Sequence, residues 1–233
     1  MKTNKIFAPL LIGGACWLAA LPTCHASPIA IGTTYTYDLT KAAAGSGLGT
    51  TGNFGTVTLT QAADEVDVAV ALKAGYLFAN TGGPHNAFVF NLGSTVINAV
   101  VALTSFPNIF QVGTGGPFSD TPWGATYSNA IQFKSGVGGG LSANVTGPLT
   151  FTVKAANLTL TNFVPIAGAK PGNPSPGYIF SADIGNAASG KTGAVTTVAN
   201  ETPHIGHVPE PATIGMIGLG LLGVGFSRRR RPA

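Results

Sequence analysis

Cysteine is nearly absent: Cys16 and Cys24 are the only two in 233 residues, and both precede residue 27. From there on no thiol is available, which excludes disulfide staples, cysteine nucleophiles and thiolate metal sites. Charge is scarce too, at 9% of residues, where ordinary globular chains carry about 25%. The formal net charge of +4 would suggest nucleic acid, but the positions of the charges exclude it. Lys2 and Lys5 stand near one end and Arg228 to Arg231 near the other, while between Ser27 and His207 six lysines meet seven acids, a net of −1. No basic stripe is left to neutralise phosphates. What the chain has instead is 33 glycines, 16 prolines and frequent threonine. Turn formers and β-branched residues at low charge specify an all-β body, and the composition is too apolar for disorder.

The long apolar runs sit at the two ends. Residues 1–26 have a basic start, an apolar stretch from Ile6 to Leu21 and a closing Cys24-His25-Ala26. This is the pattern of a secretory signal peptide, with signal peptidase expected to cut after Ala26. An uncleaved anchor is the alternative, and a lipoprotein at Cys24 is disfavoured because Leu21-Pro22-Thr23 lacks the small residue expected before it. At the other end Val208-Pro209-Glu210-Pro211 precedes a run from Ala212 to Phe226 that holds no charge, and Arg228, Arg229, Arg230 and Arg231 follow. As a helix those fifteen residues would span about 22 Å at about 1.5 Å per residue, short of a hydrocarbon core of about 30 Å. Such a segment is expected to be a transient transmembrane helix, with the arginines held on the cytoplasmic side. The prolines would keep 208–211 extended and open to a protease on the outer face.

The order Pro209-Glu210-Pro211, short Gly-rich apolar helix, terminal arginine cluster resembles the PEP-CTERM sorting signal of Gram-negative bacteria. That resemblance implies an exosortase, a membrane cysteine protease, as processing partner. It also implies transient residence in the inner membrane and a destination at the cell surface or in exopolysaccharide and biofilm matrix. The same tail module also carries an ice-binding-protein label. Gly218-Leu219-Gly220-Leu221-Leu222-Gly223 spells GxGxxG, but a dinucleotide site needs a strand before it and an acid about twenty residues after it. No acid follows Gly223, so these glycines belong to the apolar helix. Gly45 to Gly49 and Gly138 to Gly140 are loop punctuation by the same test.

Between the ends, alternation of period two predicts strands. Thr33–Thr40 alternates around Tyr35, Tyr37 and Leu39. Phe54–Thr60 and Val66–Leu72 alternate on either side of an acidic turn, as an antiparallel hairpin would. Further strands are expected at 87–92, 127–133, 149–153, 158–164 and 178–184, with 194–198 a weaker one and 96–103 either strand or helix. About nine or ten short strands make one antiparallel β-sandwich, jelly-roll-like, over residues 27–184. Residues 185–207 read as a flexible linker and 208–233 as the sorting signal. The stretch Phe54–Leu92, with Gly75-Tyr76-Leu77-Phe78-Ala79-Asn80-Thr81-Gly82, also resembles bodies of other PEP-CTERM proteins.

Chemistry is thin. His85, in Gly82-Gly83-Pro84-His85-Asn86, is the one histidine of the body away from its tail, and no nucleophile-elbow pattern accompanies it. Asp64, Glu65 and Asp67 offer a carboxylate pair of the kind glycoside hydrolysis uses, though acids solvating a hairpin turn are the simpler reading. His204 and His207 have a metal-ligand spacing but read as linker residues. Ca²⁺ is the metal that loop carboxylates of an exported sandwich would take, yet no Asp-x-Asp-x-Asp run occurs. Trp123, Tyr127 and Phe118 are the candidate ligand-facing aromatics, since rings on loops hold sugars in many carbohydrate-binding modules. Thr56, Thr58 and Thr60 form a threonine row compatible with ice binding, without the fixed repeat of a solenoid.

The expectation is therefore an exported, exosortase-processed structural or binding protein without enzymatic activity or cofactor. A carbohydrate-active enzyme or Ca²⁺-assisted lectin-like module is the alternative, and an ice-binding protein ranks below it. Replacing Pro209, Glu210 and Pro211 with alanine is expected to trap full-length protein in the inner membrane. Fractionation and immunoblotting check this, and release at the normal rate contradicts it.

Overall fold

A computed structural model describes residues 29–81, 86–114, 116–120, 125–165, 177–197 and 201–207. The expected signal peptide with Ala26, the sorting signal at 208–233, His85 and Trp123 lie outside these residues. Fifteen strands are formed among the described residues. They run β1 (Thr33–Ala42), β2 (Thr51–Gln61), β3 (Glu65–Leu72), β4 (Tyr76–Asn80), β5 (Asn86–Phe90), β6 (Val100–Leu103), β7 (Phe110–Val112) and β8 (Phe118–Asp120). β9 (Ala125–Tyr127), β10 (Asn129–Phe133), β11 (Gly140–Val145), β12 (Leu149–Lys154), β13 (Phe180–Asn186), β14 (Thr192–Thr197) and β15 (His204–His207) complete them. One 3-10 turn, Leu160–Asn162, is the only helix among the described residues.

The fold is all-β and antiparallel, as the composition requires, but it is one sheet rather than two stacked ones. Thirteen strands share a continuous ladder in the order β6-β12-β3-β2-β1-β14-β13-β5-β10-β7, with β4, β11 and β15 attached to it. Two strands divide an edge between partners, which explains the continuity. β1 pairs along one side with β15 over Thr33–Thr36 and with β14 over Leu39–Ala42. β13 likewise pairs with β5 over Phe180–Ala182 and with β4 over Ile184–Asn186. The end strands β6 and β7 are consecutive in the chain and lie against each other, so the sheet rolls into a near-barrel. Strands β8 and β9 form a separate two-stranded pair.

The β2–β3 hairpin forms as its alternation predicts, from Gly55 opposite Leu72 to Gln61 opposite Val66. Val57, Leu59, Val66, Val68 and Val70 are buried on one side, while the intervening threonines, Asp67 and Ala69 face outward. The region 158–164 is not a strand. Asn157 takes a left-handed φ of 58°, and Asn162 accepts from the Thr159 amide at 2.7 Å, which winds a turn instead. Its apolar Leu158, Leu160 and Phe163 are buried all the same. Gln61 fixes the turn from inside, donating to the Leu158 carbonyl at 3.0 Å and accepting from the Leu160 amide at 3.0 Å. Residues 185–207 are not a tether either, because β14 and β15 lie within them and complete the sheet.

Phenylalanine fills the interior. Phe88 stacks on Phe180 at 5.7 Å, and Phe90 stacks on Phe151 at 5.4 Å and on Phe163 at 5.7 Å. Tyr37 meets Phe180 edge-on at 5.3 Å. All six rings are buried, and truncating such a ring costs about 3–5 kcal/mol, which makes a core without disulfides sufficient. Gly55 sits where the backbone of β3 passes close. A Cβ there would strike the Ala71 carbonyl oxygen and come within 3.0 Å of the Leu72 Cα. Gly55→Ala is expected to destabilise the fold by about 1–3 kcal/mol. Gly139→Ala, whose Cβ would meet nothing closer than 4.0 Å, serves as the tolerated control in chemical denaturation.

Candidate functional site

Period two places every second residue of β1, β2, β3 and β12 on the outer face, and antiparallel pairing lines them up across strands. Thr36 stands opposite Thr58, Thr58 opposite Ala69, and Ala69 opposite Thr150. The neighbouring rung runs Thr34, Thr60, Asp67 and Thr152. Thr36 and Thr58 share a hydroxyl contact at 3.4 Å, and the Thr104 hydroxyl donates to that of Thr150 at 2.8 Å. The result is an open groove of about 200 Å³ in which Thr58, Thr60, Asp67, Thr104, Thr150 and Thr152 share the lining with Val68, Ala69 and Phe151. Its small side chains leave room for a ligand, and its hydroxyls can both donate and accept.

The first of these rungs extends onto β15, where His204 pairs with Thr36. The His204 Nε2 lies 3.5 Å from Asp38 Oδ2. Asp38 occupies the point where the shared edge of β1 passes from β15 to β14, so neither strand supplies it a carbonyl there. Glu201 fills that break by accepting from the Asp38 amide through Oε1 at 3.0 Å. The second carboxylate oxygen, Oε2, is buried and has no hydrogen-bond partner among the described residues. An unsatisfied buried acceptor costs about 1–3 kcal/mol. Asp38, Glu201 and His204 together bring one ligand atom each to within 4.8 Å of one another. Beside them, Tyr37 is buried, and its phenol is pushed up from 10.0 to about 12 by that burial first, then by Tyr35 and the Glu201 carboxylate.

The two described aromatic candidates do not present a platform. Phe118 and Tyr127 are buried, packing with Val89, Ala130 and Tyr178 in a small second core, because β8 and β9 fold inward over β5 and β10. Asp64 and Glu65 stand at the β2–β3 turn, while Asp67 alone of the three reaches the groove. His204, read from sequence as a linker residue, is a strand residue beside Asp38. No local pattern could have joined it to Asp38, since they lie 166 positions apart in sequence. Thr58 and Thr60 were legible as a row, but their partners Thr150 and Thr152 depended on the β3–β12 pairing.

Residues 207–231 match the family described as the PEP-CTERM protein-sorting motif. The chain thus carries an exosortase-directed export signal, and exosortase is its implied processing partner. The match begins on the last residue of β15, His207. No curated protein and no solved structure matches the chain. Among the described residues no helix is long and apolar enough to cross a membrane, and the expected segment 212–226 lies outside them.

The Tyr37 shift has a pH consequence. Its folded pKa, about 12, lies above the unfolded 10.0, so the fold favours the neutral phenol. The stability it contributes is complete below pH 10 and is lost as pH rises toward 12. Denaturation midpoints measured across that window should fall in the wild type and fall less in Tyr37→Phe.

Proposed function

We propose that this exported chain is a binding or structural protein of the cell surface or exopolysaccharide matrix, and that its outer threonine face holds polysaccharide. The observation that carries this reading is the groove across β2, β3 and β12, along which threonine hydroxyls alternate with apolar surface. A row of hydroxyls on a β-branched, half-buried surface suits a neutral polymer rich in hydroxyls, which needs many modest hydrogen bonds rather than charge. The nearly neutral body accords with such a ligand.

Binding is favoured over hydrolysis because Asp67 is the only carboxylate lining the groove among the described residues, whereas glycoside cleavage in most families uses two. The ice-binding reading draws on the same rungs, but Ala69 and Asp67 of β3 interrupt the rows of threonine that a lattice match would need. The two addresses at the ends, a signal peptide and an exosortase-cut tail, fit delivery beyond the inner membrane.

The test is retention of the released protein on exopolysaccharide, with Thr58→Val, Thr150→Val and Thr152→Val combined. Valine keeps the branched shape and removes the hydroxyl, so folding should persist while binding weakens by about tenfold, a little over 1 kcal/mol. Unchanged retention overturns the groove assignment. Release of reducing ends would make the protein an enzyme instead.

A further inference from the structure

We infer that Asp38, Glu201 and His204 form a binding site for a first-row divalent cation such as Zn²⁺, which fastens β15 to β1 just ahead of the sorting motif. Three observations converge on it. Side chains from two separated parts of the chain, β1 and the segment entering β15, bring two carboxylate oxygens and one imidazole nitrogen within 4.8 Å of one another. On a common ion with bonds of about 2.0–2.2 Å, such atoms sit about 3–4.4 Å apart, so small side-chain rotations suffice. Independently, Glu201 Oε2 is buried without a donor among the described residues, although the other oxygen of the same carboxylate is engaged by the Asp38 amide at 3.0 Å. The carboxylate is therefore held in place with its free oxygen unsatisfied. Asp38 and His204 are already within 3.5 Å of each other.

The donor set decides the class of ion. Imidazole nitrogen with carboxylate oxygen suits Zn²⁺ and its first-row neighbours. Ca²⁺ takes six to eight oxygen ligands, and only two of these side chains offer oxygen. The site therefore departs from the Ca²⁺ that loop carboxylates alone would have suggested. His204 is exposed, its side chain 73% accessible, which gives the ion an entry path and leaves outer positions to water. Bound there, the cation would neutralise the two carboxylates and join Glu201, ahead of β15, and His204, its first residue, to β1. The strand so fastened is the one whose last residue opens the sorting motif.

Full-length chain in detergent would be titrated with Zn²⁺ alone and with Co²⁺ as an absorbing substitute. Thermal unfolding and amide exchange of residues 204–207 are the readouts. One ion per chain should bind saturably, raise Tm by a few degrees, and slow exchange across β15 by about tenfold or more. His204→Gln and Glu201→Gln should each weaken binding by about tenfold or more. Glutamine at 201 keeps an acceptor for the Asp38 amide, so the fold is retained. His207→Gln should bind as the wild type does. Undiminished binding by His204→Gln would mark adventitious coordination by other histidines and overturn the site. So would an equal response to Ca²⁺, or binding that leaves β15 exchange unchanged. Polysaccharide retention is read separately, so failure of one assignment does not carry over to the other.

Discussion

The stacked rings of Phe88, Phe90, Phe151, Phe163 and Phe180 are the contact on which the fold depends. They come from β5, β12, β13 and the 3-10 turn region, so one cluster ties together strands that lie far apart along the ladder. In a chain without thiols after residue 24, closing the sheet on itself has to be driven by burial. Large flat side chains do this well, because each removes much apolar surface from water at little rotamer cost. Rolling the sheet around them also leaves few strand edges exposed, which limits edge-to-edge association.

With the interior committed to aromatic and branched aliphatic groups, alternation passes the short polar residues to the outside. The same β2 that buries Val57 and Leu59 presents Thr56, Thr58 and Thr60. The outer face is thus a by-product of the core pattern, yet it has its own order, because antiparallel pairing lines up hydroxyls of β1, β2 and β12 on either side of Ala69 and Asp67 of β3. A ligand surface of this kind arises from register, so a one-residue slip of β12 against β3 would turn Thr150 and Thr152 inward and remove it.

What was legible in the sequence followed local periodicity. β1 and the β2–β3 hairpin could be read from alternation, β5, β10, β12 and β13 as short strand-like runs between turn residues, and the sorting signal from three elements in order. Short strands of three to six residues, such as β7, β9 and β11, carry too few alternations to stand out. The 158–164 region misled because Leu158-Thr159-Leu160-Thr161 alternates like a strand while Asn157 and Asn162 bend the backbone into a turn. Residues 185–207 looked like a tether because glycine, alanine and threonine carry little hydrophobic signal, yet Val195 and its neighbours bury completely once β1 and β13 flank them. Side-chain clusters across strands, such as Asp38 with Glu201 and His204, depend on tertiary pairing that no single window of sequence contains. Tyr127 and Phe118 were misplaced for the same reason, since a ring on an irregular segment packs inward or outward according to what lies beneath it.

The pairing of Thr33 with His207 means the described body begins and ends side by side. Tension applied between those two points loads β15 as a zipper rather than in shear: the rung at Thr33 and His207 carries the whole force first, then each rung in turn toward Thr36 and His204. Antiparallel strands pulled this way separate rung by rung at low force. Resistance is therefore concentrated at the far end of β15, where Asp38 meets His204 and Glu201 caps the break in the ladder. A pull at His207 would meet that contact before it reached β14 and the aromatic core behind it.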